Sequence, residues 1–382
     1  MRILHLGYED PAQPGSGGGS VRTREINRRL SARHEITVLV AGYPGAQARV
    51  EDGVRWEPLW PRSGMKLDRL AYFALLAPAI SRHPHDVLVE DFGAPFSTAF
   101  SPLYTRRPVV ASVQWLFASQ MRDKYHLPFD AVEALGLRLY HNFICVSGWL
   151  RDSFRERVPN ARNWVIPNGV EDAAFATAPA APRHLLFVGR LDTAQKGCDL
   201  LIEIVARARQ LLGERMPPVL IAGDGPDRSL VEADVQRRGL NGIVKLCGRV
   251  EGAAKYELMA NSYAVLMPSR FETFGMVAVE SQAAGAPLVA FDVGPLREVA
   301  GGAGARLVRP FDVDAFAHEV AEIVDNQANR EQLRLSGRQW ARRYNWDAVA
   351  SEQEAVYTQL QEGGGLHVGS LPSEQGKERG QT

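Results

Sequence analysis

Residues 263–291 read YAVLMPSRFETFGMVAVESQAAGAPLVAF. The run 263–268 is short, apolar and rich in strand formers, a polar loop leads to Gly275, and MVAVESQAAG has helical character. PLVAF, 287–291, is again a short apolar run. Strand, loop, helix and strand in so short a span make a βαβ unit, whose two strands run parallel. Neither strand alternates polar with apolar residues, as expected of a parallel sheet covered on both faces.

The same rhythm extends outward. LLFVG, PVLIAG and IVKLCG precede the unit as strands, with helices expected over 197–212, 226–239, 253–261, 275–285, 312–325 and 328–344. An earlier series has strands at 2–6, 36–40, 86–89, 109–113, 142–146 and 164–166, and helices at 20–33, 66–81, 131–140 and 148–157. The fold class is therefore α/β: two Rossmann-like, doubly wound parallel-sheet domains facing one another across a cleft. The expected domains are 1–170 and 184–345, joined by an irregular Ala/Pro-rich linker at 171–183. A helical face over 346–361 follows, and the Gly-rich, polar segment 362–382 is expected to be disordered.

Composition fits an ordinary globular protein of 382 residues, 45% hydrophobic and 23% charged. Lys plus Arg balances Asp plus Glu at 44 each, so no global charge draws the chain to nucleic acid or an anionic bilayer. Arginines 22, 24, 28, 29 and 33 load one short helical region, read as a solvated face that leaves a weak membrane-surface contact open. Cys145, Cys198 and Cys247 are scattered and read as small buried hydrophobes in a reducing compartment. MRILHLG lacks a signal-peptide pattern, and the apolar run near 70–80 is too short to span a bilayer, so a cytoplasmic location is expected.

Four constellations lie where α/β proteins place ligands, after the carboxyl ends of strands. PGSGGGSVRTREINRRL, 14–30, offers bare backbone around Gly17 and Gly18 before a helix expected to be capped by Ser20, a setting that suits a phosphate or a surface loop equally. In FVGRLDTAQKG, Arg190 and Lys196 bring a forked and a compact cation to one sheet edge, which suits a diphosphate. AGDGP, 222–226, reads as a tight turn in the cleft wall. In the opening stretch, Glu272 stands in the loop beside the amides of Phe274, Gly275 and Met276, and Glu280 follows on the helix. Two carboxylates around an amide-lined anion site suit a ligand with hydroxyls on both sides of a phosphate.

On these residues the chain resembles the GT-B retaining glycosyltransferases of family four. The most specific mark is the pair of glutamates separated by seven residues in FETFGMVAVE, supported by GRLDTAQKG, AGDGP, CGRV and VIPNGV in the family's order. The resemblance implies a nucleoside diphosphate sugar as donor, a hydroxyl-bearing acceptor, retention at the anomeric carbon, and no metal or other cofactor. It implies that Arg190 and Lys196 hold the diphosphate, Glu280 the ribose and Glu272 the donor sugar. It sets Gly17 and Gly18 against the diphosphate from the opposite domain, the backbone near Val250 at the base, and 346–360 as a helix crossing back to the first domain. Where many members carry a histidine, this sequence has Gln114 in VVASVQWLF, which can hydrogen-bond a sugar hydroxyl but cannot act as a base. Alternatives are a sugar-nucleotide epimerase on the same scaffold, or a non-catalytic or partner-dependent member. The only D-x-D, Asp312–Asp314, reads as helix capping rather than a metal site. Acceptor recognition is expected from EDFGAPFS and QWLFASQMRDKYHLPF, whose Phe92, Phe96, Trp115, Phe117 and Tyr125 suit stacking or packing.

Overall fold

The computed structural model describes residues 1–13, 16–60, 67–93, 96–116, 118–178, 180–301 and 304–363. Most of the tail expected to be disordered, together with Gly15 and Phe117, lies outside them.

Eight strands form the first sheet: β1 (Arg2–Leu6), β2 (Glu35–Ala41), β3 (Arg49–Glu51), β4 (Val54–Leu59), β5 (Val87–Asp91), β6 (Val109–Val113), β7 (Asn142–Cys145) and β8 (Arg162–Val165). Their order is β3-β4-β2-β1-β5-β6-β7-β8. All neighbours are parallel except β3 and β4, an antiparallel pair closed by Asp52-Gly53, both at positive φ. The second sheet holds β9 (His184–Val188), β10 (Val219–Ala222), β11 (Val244–Gly248), β12 (Ser262–Met267), β13 (Leu288–Phe291) and β14 (Ala305–Val308), ordered β11-β10-β9-β12-β13-β14 and parallel throughout.

The central strands are buried end to end, Val109–Val113 and Leu288–Phe291 along their whole length, because helices cover both faces. In each sheet the strand order reverses beside its first strand, between β1 and β5 and between β9 and β12. Loops leaving the carboxyl ends there open a crevice, and the candidate residues sit in it.

Several expectations change. The stretch 41–60 holds β3 and β4, whose Asp-Gly turn between short extended runs is a hairpin signal that the βα reading passed over. ARLV forms β14 although Arg306 interrupts its apolar run. The helices Ala118–Tyr125 and Leu296–Ala300 are additional. The linker is not irregular throughout, since Asp172–Ala176 forms one helical turn with Ala174 buried. Cys145 and Cys198 are buried, and burial pushes their thiols up to about 12 and about 11. Cys247 is exposed instead, because it lies on the edge strand β11 where burial alternates.

The helix Trp346–Glu362 returns to the first half and packs on helix Gly18–Leu30. Trp346, Val349, Ala350, Val356, Tyr357 and Leu360 join Ile3, Ile26, Leu30 and Val89 in one buried cluster. The arginine-loaded face is not a free basic patch. Arg22 is 2% exposed; Arg28 and Arg29 both reach Glu25 at 2.6 Å; and Arg33 pairs with Glu354 on the returning helix at 2.5 Å.

Candidate active site

The loop 268–275 is held in place by backbone contact. Gly197 ends the turn Thr193–Lys196 at φ +64, and a Cβ there would overlap Pro268 O. Gly294, at φ +53, lies so close to Glu272 O that a side chain would collide with it. Only glycine accepts both the left-handed backbone and the close approach. The loop is clamped between these two turns, and Lys196 is brought onto Glu272, Nζ to Oε1 2.6 Å. Ser269 Oγ donates to the same oxygen at 2.8 Å, and Glu272 is 5% exposed.

Behind the loop, helix Met276–Ala283 starts at Gly275, φ +91, with no side-chain cap and no acidic residue in its first turn. Its leading amides, with those of Phe274 and Gly275 just ahead, face the loop as a partial positive charge without a carboxylate to satisfy it. Phe274 itself is buried edge-on against Tyr344, ring centroids 5.7 Å apart, which fixes the backbone of this entry. Glu280 lies one turn deeper, 8% exposed, with Oε1 2.9 Å from Lys255 Nζ. Burial pushes its carboxyl above the usual range, Lys255 opposes that shift, and Glu171 adds to it.

Arg190 follows β9 and is largely exposed; Nη2 reaches Asp192 Oδ2 at 2.6 Å and Gln195 Oε1 at 3.1 Å. Asp192 also caps the turn that carries Lys196, accepting from Gln195 N at 3.1 Å. The AGDGP turn braces this segment: Leu191 N donates to Asp224 O at 3.0 Å and Thr193 N to Asp227 Oδ2 at 2.6 Å. Val250 lies in the loop after β11, ahead of helix Gly252–Ala260, which bears Lys255.

From the other side, helix Gly18–Leu30 begins at Gly17, not at Ser20 as expected. Ser20 lies inside the first turn and donates to Gly17 O at 2.8 Å. The start carries no helix-capping side chain, although Glu9 Oε2 accepts from Gly17 N at 2.9 Å. Gly18 faces open space, and a Cβ on Gly19 would stand 3.1 Å from Gln114 Nε2. Gln114 Oε1 accepts from Asn168 at 3.5 Å, and Asn168 Oδ1 accepts from buried Arg22 at 3.0 Å. Arg22 also donates to Pro167 O at 2.6 Å and to Gln353 Oε1 at 2.7 Å; desolvation lowers its pKa to about 10. His126 is exposed in a turn with Arg122, Asp123, Leu127 and Pro128.

The two sides meet beside Glu272. Phe271 lies between Trp115 and Trp149, ring centroids 4.6 and 5.8 Å away. Ser147 Oγ donates to Thr273 O at 3.0 Å, and Glu298 accepts from Gly148 N and Trp149 N at 2.8 and 3.2 Å. Sequence reading missed Phe271, Glu298 and Lys255, although Phe271 adjoins the motif glutamate. Among the described aromatics of the acceptor-side loops, Phe92 packs on Tyr140 at 5.2 Å and Phe96 on Phe129 at 5.5 Å, while Tyr125 is 46% exposed. Asp312 caps a helix, accepting from Ala315 N at 3.1 Å, and Asp314 pairs with Arg207 at 3.4 Å. Among the described residues no group of three or more His, Cys, Asp or Glu could hold a metal, and no helix is long and apolar enough to cross a membrane.

Residues 182–326 match the family model described as Glycosyl transferases group 1, and residues 16–174 the model described as Glycosyltransferase Family 4. The chain belongs to this glycosyltransferase family. A phosphatidyl-myo-inositol mannosyltransferase of Mycobacterium leprae is 32% identical over 200 residues, 50% of this chain and 52% of that protein. A glycogen synthase of Mycobacterium tuberculosis is 27% identical over 319 residues, 79% of this chain and 74% of the relative. The chain thus spans about half the length of the first of these relatives. The fold is that of the GT-B glycosyltransferases. Sucrose-phosphate synthase from Thermosynechococcus elongatus superposes with a TM-score of 0.78 at 19% identity, covering 95% of this chain and 99% of that one. Anabaena Alr3699/HepE, solved with UDP and glucose, superposes with a TM-score of 0.72 at 19% identity, covering 94% and 99%.

Proposed function

We propose that this glycosyltransferase moves a sugar from a nucleoside diphosphate sugar to a hydroxyl acceptor with retention at the anomeric carbon. One juxtaposition carries the reading: Lys196 and Glu272 at 2.6 Å, set before an uncapped helix N-terminus with Glu280 one turn inside. Lys196, Arg190 and the helix amides meet the charge that develops on the diphosphate as it leaves, and such preorganised contacts supply the largest share of catalysis in reactions of this kind. Glu272 accepts from donor-sugar hydroxyls and Glu280 from the ribose diol. Gly17 and Gly18 bring backbone to the diphosphate from the other side, and the backbone near Val250 meets the base.

The C1–O bond to the β-phosphate breaks, its electrons leaving with the diphosphate. The acceptor oxygen bonds to C1 on the same face, and its proton passes to the departing phosphate oxygen. Gln114 orients a hydroxyl and carries no proton in this scheme. The diphosphate charge is met by protein groups, so the reading calls for no metal.

The test is a thermal-shift screen of UDP, GDP and ADP, followed by incubation of the stabilising nucleotide's sugars with hydroxyl acceptors. A raised melting temperature, diphosphate release that survives a chelator, and product of the donor's anomeric configuration support the reading. No stabilisation by any diphosphate overturns it, and epimerised donor without transfer supports the epimerase instead.

A further inference from the structure

Lys255 belongs to none of the expected contacts, yet it is the counter-charge of a site glutamate. Its Nζ lies 2.9 Å from Glu280 Oε1, with the two side chains 19% and 11% exposed. The ammonium also rests 4.6 Å from the centre of the Tyr256 ring. Tyr256 is buried, and its hydroxyl donates to Glu171 Oε2 at 3.1 Å. Lys255 is therefore held from below by an aromatic face, which fixes a long side chain that would otherwise sample many rotamers. The contact uses one oxygen of Glu280, and the other has no hydrogen bond among the described residues.

We propose that Lys255 is a positioning residue for the donor, its ammonium pairing with one oxygen of Glu280 and aiming the carboxylate so that the second oxygen takes the ribose diol of the nucleotide. This rests on the nucleotide-sugar reading of the same site. A carboxylate accepts strong hydrogen bonds from a diol, whereas a protonated carboxyl presents a donor and a weaker acceptor. The groups facing Glu280 are Lys255 on helix Gly252–Ala260, Tyr256 on the same helix, and Glu171 ahead of Asp172–Ala176. Burial and Glu171 both favour the neutral acid, and among the described residues Lys255 acts the other way. Removing its charge therefore lets Glu280 take up a proton at a higher pH than in the natural protein.

A structural ion pair tying two helices together would show the same geometry, so the test reads the ribose. The natural chain, Lys255→Met and Lys255→Arg are titrated with UDP, GDP and ADP; the tightest binder is then compared with its 2′,3′-dideoxy analogue. Lys255→Met should weaken the ribonucleotide about tenfold or more while leaving the dideoxy analogue within about twofold. Lys255→Arg should keep most of the affinity. As pH falls, Lys255→Met should lose ribonucleotide binding at a higher pH than the natural chain, and the dideoxy analogue should show no such difference. Equal loss for both nucleotides, or undiminished ribonucleotide binding by Lys255→Met, overturns the role of Lys255 while leaving the nucleotide reading intact. A natural chain that binds none of the three diphosphates overturns that reading and this inference with it. Glu280→Gln guards against a misfolded Lys255→Met: it removes the acceptor charge directly and should show the same discrimination between ribose and dideoxyribose.

Discussion

Among the described residues, two of the contacts between the second half of the chain and the first have opposite character. Along the returning helix, Trp346, Val349, Tyr357 and Leu360 are buried in a cluster shared with β1 and helix Gly18–Leu30, and Arg22 bridges to Gln353 inside it. At the cleft mouth the contact is one aromatic ring between two tryptophans, one hydroxyl and one carboxylate. Separating the seam would expose a core, a cost proportional to the apolar area uncovered. The mouth, by contrast, can part at the expense of a few contacts. Motion between the halves is therefore expected to pivot on the seam and open at the mouth.

Trp346→Ala is the most damaging way to break this contrast. The ring is 1% exposed and lies against Gly169, in the loop that also holds Asn168. Truncating it should cost about 3–5 kcal/mol, the range for buried Trp to Ala, read as a lower denaturant midpoint. A midpoint unchanged within error would mean that the seam is not the fixed side. Lys196→Met comes next and acts on chemistry more than on folding. Loss of a charge aimed at the leaving group should lower turnover about a hundredfold or more, with a smaller change in nucleotide affinity. Near-natural turnover would remove Lys196 from the leaving-group site.

The sequence made some of this legible and hid the rest for physical reasons. Buried parallel strands are continuous apolar runs, so β6, β9, β12 and β13 could be found within a residue of their ends, while β5 runs two residues past its expected end into Glu90 and Asp91. β3 and β14 are three and four residues long and interrupted by charge, so periodicity had nothing to register. Glu272, Glu280, Arg190 and Lys196 stand out because a loop and a helix start impose fixed spacings along the chain. Lys255 pairs with a residue 25 positions away, and Phe271 packs on Trp115, so only the fold brings either partner close. Arg22 looked like one more surface arginine because nothing local distinguishes it from Arg24 or Arg28. Its burial is decided by Pro167, Asn168 and Gln353, more than a hundred residues away.

Phe271→Ala probes the mouth. Edge-on aromatic pairs contribute roughly 0.5–1.5 kcal/mol each beyond area burial, so losing both from a mouth that opens without unfolding should reduce turnover about fivefold or more while barely moving the denaturant midpoint. Tryptophan emission should shift to the red as Trp115 and Trp149 lose their cover. If stability falls as far as in Trp346→Ala, the mouth is as much a part of the core as the seam, and the contrast fails.

Glu354→Gln should have the smallest effect and sharpens the contrast within the seam itself. Glu354 takes Arg33 at 2.5 Å and His34 at 2.6 Å, at the solvent edge of the returning helix. The Arg33 hydrogen bond is the strongest influence holding its carboxyl below the usual value of 4.5, with His34 adding to it. A carboxyl lowered in the folded state contributes stability that is complete above its unfolded value and disappears as pH falls through the folded one. The natural chain should therefore melt above Glu354→Gln at pH 7, and the gap should close on acidification below pH 4.5. Arg33 is 59% exposed, so solvent screens the pair and the gap should be only about a degree or two, shrinking further in salt of about 1 M. A gap that persists under strong acid or high salt would assign the effect to helix packing, and the charged edge of the seam would then add nothing to its buried face.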